Sequence, residues 1–147
     1  MLRKGFTLVE LLVAIVVAGA LMAIAVPRLR SVMIKEDLRS SRREVATRLQ
    51  QARSAAVQRG CPAILNIDAP TARVWVTTCR VNGAGLDTLN QIANLSTRYQ
   101  VAMTATGSQV RFGPHGLAME ASTVSLRFTR SGYADSLGIS PVGRAMW

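Results

Sequence analysis

The clearest pattern in the chain is an apolar run near its start. From Phe6 to Val26 there are 21 residues and one charge, Glu10. At about 1.5 Å rise per residue this makes a helix of ~31 Å, enough to cross a hydrocarbon layer of ~30 Å. Beyond it the pattern becomes amphipathic. Leu29, Val32 and Met33 fall at i, i+3 and i+4, and Leu38, Val45, Leu49, Ala52 and Ala56 continue an apolar stripe among charged residues, the period of a helix covered on one side. Gly60 and Pro62 supply a stop signal. The predicted helix from Phe6 to Arg59 is about 54 residues, or ~80 Å if unbroken, with Pro27 as the expected bend. Its first half needs a membrane or a fibre core around it. Its second half is expected to lay its stripe on a head domain.

The 88 residues after Arg59 read as strands. Ala63 to Ile67 and Arg73 to Thr78 flank the turn Asp68-Ala69-Pro70-Thr71-Ala72, which predicts a hairpin. Val81 to Asn94, with Asn82-Gly83-Ala84-Gly85, has little pattern and is expected to be loop with a short helical turn. Tyr99 to Thr104, Gln109 to Phe112 and Thr123 to Thr129 are further strand candidates. A last strand is expected through Ser136 to Ser140 or through Arg144 to Trp147. The fold class expected is α+β: a long N-terminal helix, spanning in its first half and amphipathic in its second, packed on an antiparallel β-sheet head.

Charge modifies this picture. The formal net charge is +10, and 16 of the 18 basic residues are Arg. Between Arg28 and Arg59 there are nine basic residues against three acidic, whereas from Gly60 onward there are seven Arg against four acids. Most of the excess therefore sits on the helix stem, as a solvated face or as a surface for lipid headgroups. Because Arg28, Arg30 and Lys35 follow the span while only Arg3 and Lys4 precede it, the Lys/Arg count does not favour the leader side as cytoplasmic. Glu10 is the other anomaly, since a carboxylate in lipid costs on the order of a few kcal/mol unless a cation meets it.

Arg3, Lys4 and the unbroken run Gly5-Phe6-Thr7-Leu8-Val9-Glu10 resemble the class III leader of type IV pilins and pseudopilins. The resemblance implies that a prepilin peptidase cuts after Gly5 and methylates Phe6. Residues 1–5 are then a leader, 6–27 a membrane or fibre-core helix with Pro27 as its kink, 28–59 an amphipathic stem and 60–147 a periplasmic head. Removal of Arg3 and Lys4 lowers the side-chain charge from +10 to +8. The resemblance also implies a partner for Glu10: the α-amine of Phe6 on a neighbouring subunit, which compensates both charges in a low-dielectric setting. The alternative is that Glu10 snorkels or pairs with its own Phe6 amine one turn away.

The C-terminal half, in Val110-Arg111-Phe112-Gly113-Pro114-His115-Gly116, Val124 to Phe128 and Ile139-Ser140-Pro141-Val142-Gly143-Arg144, is similar to the GspH/FimT family of minor pseudopilins and minor pilins. That implies assembly with other minor and major pilins at the inner membrane, into the priming or tip complex of a type IV pilus or of a type II secretion pseudopilus. Both machines use the same leader and helix. Some FimT-type members are implicated in capturing DNA during transformation through a terminal G-R-x-R motif. This chain keeps Gly143 and Arg144 and has Met146 at the second Arg position. Arg127 and Arg130, framing a strand end, join them as candidate DNA contacts, with Trp147 as a stacking surface.

The two cysteines are weighed by hairpin geometry. A turn centred on Pro70 gives paired residues an index sum of 140 and sets Cys61 opposite Cys79. In an oxidising periplasm this predicts a disulfide, the alternative being two reduced thiols. With two Cys and one His, no metal site is expected, and no cofactor. His115 stands in a Gly-Pro-His-Gly turn without a nucleophile elbow, phosphate loop or H-E-x-x-H beside it. An enzyme is not expected.

Overall fold

A computed structural model of the chain describes residues 7–80, 85–120 and 122–147. Two compact units divide between Ile34 and Lys35. Helix α1, Leu8–Arg59, belongs to both, with Pro27 inside it. Proline has no N–H to donate to the carbonyl four residues earlier, so the helical ladder lacks one bond there. In the first unit every apolar side chain from Leu8 to Val26 is exposed. This helix is long and apolar enough to cross a membrane by length and composition.

In the second unit the stem buries Leu38, Val45, Leu49, Ala52, Ala55 and Ala56 in one stripe, while Leu29, Val32 and Met33, in the first unit, are exposed. Ser41 interrupts the stripe, and its hydroxyl donates to the Asp37 carbonyl at 2.8 Å. Gly60, at φ +63°, ends the helix in the left-handed conformation that glycine adopts without a Cβ penalty. The head holds two antiparallel sheets. The first comprises β1 (Ala63–Asp68), β2 (Arg73–Cys79), β3 (Leu86–Asn94) and β5 (Gln109–Phe112), in the order β3-β2-β1-β5. The second comprises β4 (Ala102–Ala105), β6 (Val124–Arg130), β7 (Tyr133–Ile139) and β8 (Ala145–Met146), in the order β4-β6-β7-β8. Alternate residues turn inward along each: Leu65, Val74, Val76 and Phe112 from the first sheet, and Leu126, Phe128, Leu137 and Ile139 from the second, are buried. The expected class, a long helix packed on an antiparallel head, is the class observed.

Three strand expectations are corrected. The stretch expected to be loop contains β3, paired to β2 from Cys79↔Leu86 to Arg73↔Asn94; residues 81–84 of that stretch lie outside the described residues. An edge strand exposed on both faces needs no alternation, and β3 exposes most of its residues. It also bulges: Val74 and Val76 pair with Ala93 and Leu89, so Asn90, Gln91 and Ile92 oppose Trp75 alone, and Asn90 sits at φ +62°. The strand expected from Tyr99 begins only at Ala102, because Asn94 caps a short helix α2, Leu95–Tyr99, by accepting from the Thr97 N–H at 3.1 Å. The alternative last strands both exist, as β7 and β8, and β7 starts earlier than expected. Ser131 at φ +48° and Gly132 at φ +82° form the two-residue turn that joins β6 to β7, both positive as a type I′ hairpin requires.

Candidate assembly site

Glu10 is held by the start of its own helix. The Thr7 N–H and the Thr7 hydroxyl both donate to Glu10 Oε2 at 3.3 Å, and the Glu10 N–H donates back to Thr7 Oγ1 at 3.2 Å. This is a reciprocal capping box, T-x-x-E, which satisfies two amide donors that a helix start otherwise leaves open. The carboxylate also lies where the helix dipole favours negative charge. The spacing from Thr7 to Glu10 carried this signal in the sequence, and a reading that looked only for a cation to meet Glu10 passes over it. Gly5 and Phe6 lie outside the described residues.

Further along α1, ionic side chains tie the stem to the second sheet. Arg130, at the end of β6, bonds Asp37, the Tyr99 carbonyl at 2.9 Å and Gln100 Oε1 at 2.8 Å. Its side chain is only 21% exposed. Arg130 thus spends its donors inside the fold, which removes it from the surface offered to a polyanion. Arg42 donates to Asp135 Oδ1 at 2.9 Å and stacks on the Trp147 ring 5.0 Å away. Trp147 thus touches the stem through Arg42 while remaining 71% exposed.

The Cys61 and Cys79 sulfurs are bonded, with Cα atoms 6.3 Å apart. The register around them differs from expectation by one. Ala63↔Thr78 and Asp68↔Arg73 give an index sum of 141, since the loop is the four residues 69–72, closed by Ala72 N–H to the Ala69 carbonyl at 3.1 Å. Cys61 is therefore not directly opposite Cys79. It precedes β1, outside the ladder, and its sulfur meets that of Cys79 from there. Arg59, in the last turn of α1, donates to the Cys79 carbonyl at 2.7 Å, so helix end and disulfide brace the same strand end.

Gly143 and Arg144 have different situations. Gly143 is buried at φ +79°, and a Cβ there would lie 2.5 Å from Phe112 Cε1 and 3.2 Å from the Ala118 Cβ. Arg144 is exposed; its N–H donates to Ser140 Oγ at 3.0 Å and its carbonyl accepts from the Ser140 N–H at 2.9 Å. Arg127 is exposed on β6 opposite Ser136. Parity along the paired strands puts Arg127, Ser136, Gly138 and Met146 on the outward face, and Arg144, two residues before Met146, with them. Among the described residues neither Arg127 nor Arg144 forms an ion pair. The Met146 side chain lies over Gly138, its Cε 3.2 Å from where a Cβ would stand. It covers the sheet where the motif of the DNA-capturing members has its second Arg. Among the described residues no three metal-ligating side chains meet.

An apolar helix with its first half uncovered, running into a two-sheet antiparallel head, is the architecture of the pilin-like proteins. The chain belongs to the GspH family: the family described as Type II transport protein GspH matches residues 41–143, and the prokaryotic N-terminal methylation motif matches residues 1–26. Similar solved structures include the type IV minor pilin FimU of Pseudomonas aeruginosa, 16% identical, covering 76% of this chain and 88% of that one at a TM-score of 0.58. The minor pseudopilin EpsH from the type 2 secretion system of Vibrio cholerae is 12% identical, covering 75% of this chain and 94% of that one, also at 0.58. Identities this low speak for the fold alone. Among curated proteins no sequence matches this chain. The family thus rests on the match over residues 41–143, and the pilin-like fold on the solved structures.

Proposed function

We propose that the chain is an inner-membrane minor subunit that joins the priming or tip complex of a type IV pilus or type II secretion pseudopilus, its head in the periplasm. Residues 1–5 are the leader removed by prepilin peptidase, 6–27 the spanning and fibre-core helix kinked at Pro27, 28–59 the stem and 60–147 the head. The observation that carries this is the apolar stretch from Leu8 to Val26, exposed throughout and interrupted by one carboxylate. Both side-chain bonds to that carboxylate fall on Oε2, which leaves Oε1 to accept the Phe6 amine of a neighbouring subunit. Mass spectrometry of the mature protein tests the processing step. It should find N-methyl-Phe6, and Gly5→Val should retain the leader; a normally trimmed Gly5→Val chain would overturn the assignment.

DNA binding is the second reading, favoured by one observation: Arg127 and Arg144 share the outward face of the second sheet without ion-pair partners among the described residues. Two arginines neutralise about two phosphates, for a log–log salt slope of only about −2. Such binding is weak and sequence-independent. Arg144→Ala should lower both affinity and slope; an unchanged slope would remove the terminal Gly143-Arg144 from the account.

A further inference from the structure

The stem and the start of β7 enclose a groove of about 350 Å³ that has no counterpart in the sequence motifs. Lys35, Arg39 and Arg42 line one side of it and Tyr133 and Asp135 the other, with Leu38 in its wall. Its one acid is already occupied: Asp135 Oδ1 accepts from Arg42 at 2.9 Å and from the Ser136 N–H at 2.9 Å. The cations, by contrast, are under-used. Lys35 is exposed and stands 5.4 Å from the Tyr133 ring centroid. Arg39, 58% exposed, reaches Glu36 only at 3.7 Å, a geometry worth little in water. Arg42 Nε is buried with no partner among the described residues. The groove is thus a donor-rich pocket with an aromatic wall and an excess of positive charge.

We propose that this groove receives a carboxylate-bearing segment of a different, acidic pilin subunit. The inference rests on the assembly reading above and names the partner's chemistry. Charge decides against a second copy of this chain as the occupant. With a side-chain charge of +8 once Arg3 and Lys4 leave with the leader, two copies repel one another, whereas an acidic neighbour gains attraction and orientation from the same field. The Tyr133 ring and Leu38 accept an apolar side chain beside the carboxylate, so the segment recognised pairs an Asp or Glu with a neighbouring aliphatic residue.

The test uses the full-length chain in zwitterionic detergent micelles, with Trp75→Phe so that Trp147, stacked on Arg42, is the reporter. Titration with a blocked peptide of alternating glutamate and leucine should give a saturable change in emission. Lys35→Glu combined with Arg39→Glu, both at exposed positions, should weaken it about tenfold or more, as expected for losing one or two cationic contacts. No saturable response, or an equal response to a lysine–leucine peptide, overturns the proposal. Suppression of peptide binding by phosphatidylglycerol mixed into the micelles also overturns it, because the groove would then be a lipid-headgroup site. In membranes the same double variant should be processed normally yet lose its cross-link to an acidic pilin. Wild-type cross-linking of the variant refutes the proposal. Peptide binding that persists in a chain never found with other pilins would instead remove the assembly reading and leave an acidic-segment site.

Discussion

Replacing Gly143 by Ala adds a methyl group where the head has no room. The backbone there has φ +79°, and the new Cβ would meet Phe112 Cε1 at 2.5 Å, Phe112 Cζ at 3.0 Å and the Ala118 Cβ at 3.2 Å. Left-handed backbone costs a non-glycine residue about 1–2 kcal/mol, and forcing a methyl group into a filled core costs about 1–3 kcal/mol more. Phe112 is fully buried, so the ring has little freedom to turn aside. Together these give a destabilisation of roughly 2–5 kcal/mol, which in a head of this size lowers the melting temperature by roughly 10–25 °C. Arg144→Ala, at an exposed position beside it, should change stability by no more than about 0.5 kcal/mol. Near-ultraviolet circular dichroism of the full-length chain in detergent, on the combined signal of Trp75 and Trp147, follows the head without interference from the spanning helix, which holds no tryptophan. Phe112→Leu should relieve part of the Gly143→Ala loss in a double-mutant cycle, because it removes the ring atoms in conflict. A Gly143→Ala head that melts within a few degrees of wild type would refute the steric account and return Gly143 to the status of a recognition residue.

Two further outcomes are expected. Cys61→Ser with Cys79→Ser should lower head stability by about 3 kcal/mol by chain-entropy reasoning, and two freely alkylated thiols in non-reduced exported protein would contradict the bond. Arg130→Ala should destabilise the head by about 1–3 kcal/mol by leaving Asp37 and the Tyr99 carbonyl without their partner, detected as a lower melting temperature; loss of DNA retention with unchanged melting would instead mark Arg130 as a surface contact.

The long helix was the most legible element because its signals are redundant: an apolar run broken only by Glu10, then an apolar stripe at helical period, then Gly60. Leu38, Val45, Leu49, Ala52 and Ala56, read as a stripe from spacing alone, are all buried. The head was legible where one face of a strand is buried, as in β1, β2 and β6, and illegible where that condition fails. Strand β3 lies at an edge with a bulge at Asn90, so it carries no period of two. The hairpin register slipped by one because Pro70 marks the turn but not its length, and a four-residue loop moves the centre to between Pro70 and Thr71. Among candidate residues, a sequence shows that Arg127 and Arg130 are charged and near a strand end. It does not show that Arg130 turns to Asp37, 93 positions away, while Arg127 turns outward. The Thr7-Glu10 capping box was available in the sequence, since it depends only on a three-residue spacing.

The central claim is that Glu10 carries the chain into a filament through its charge, beyond its part in the helix cap. Glu10→Gln separates the two roles, because glutamine still closes a capping box but offers no carboxylate to a neighbour's amine. The decisive measurement is co-purification of full-length Glu10→Gln with other pilins after cross-linking in the membrane, beside wild type and Glu10→Val. The account predicts that both variants insert and are processed yet are recovered with partner pilins far less than wild type. Recovery of Glu10→Gln at the wild-type level would contradict it and reduce Glu10 to a helix cap.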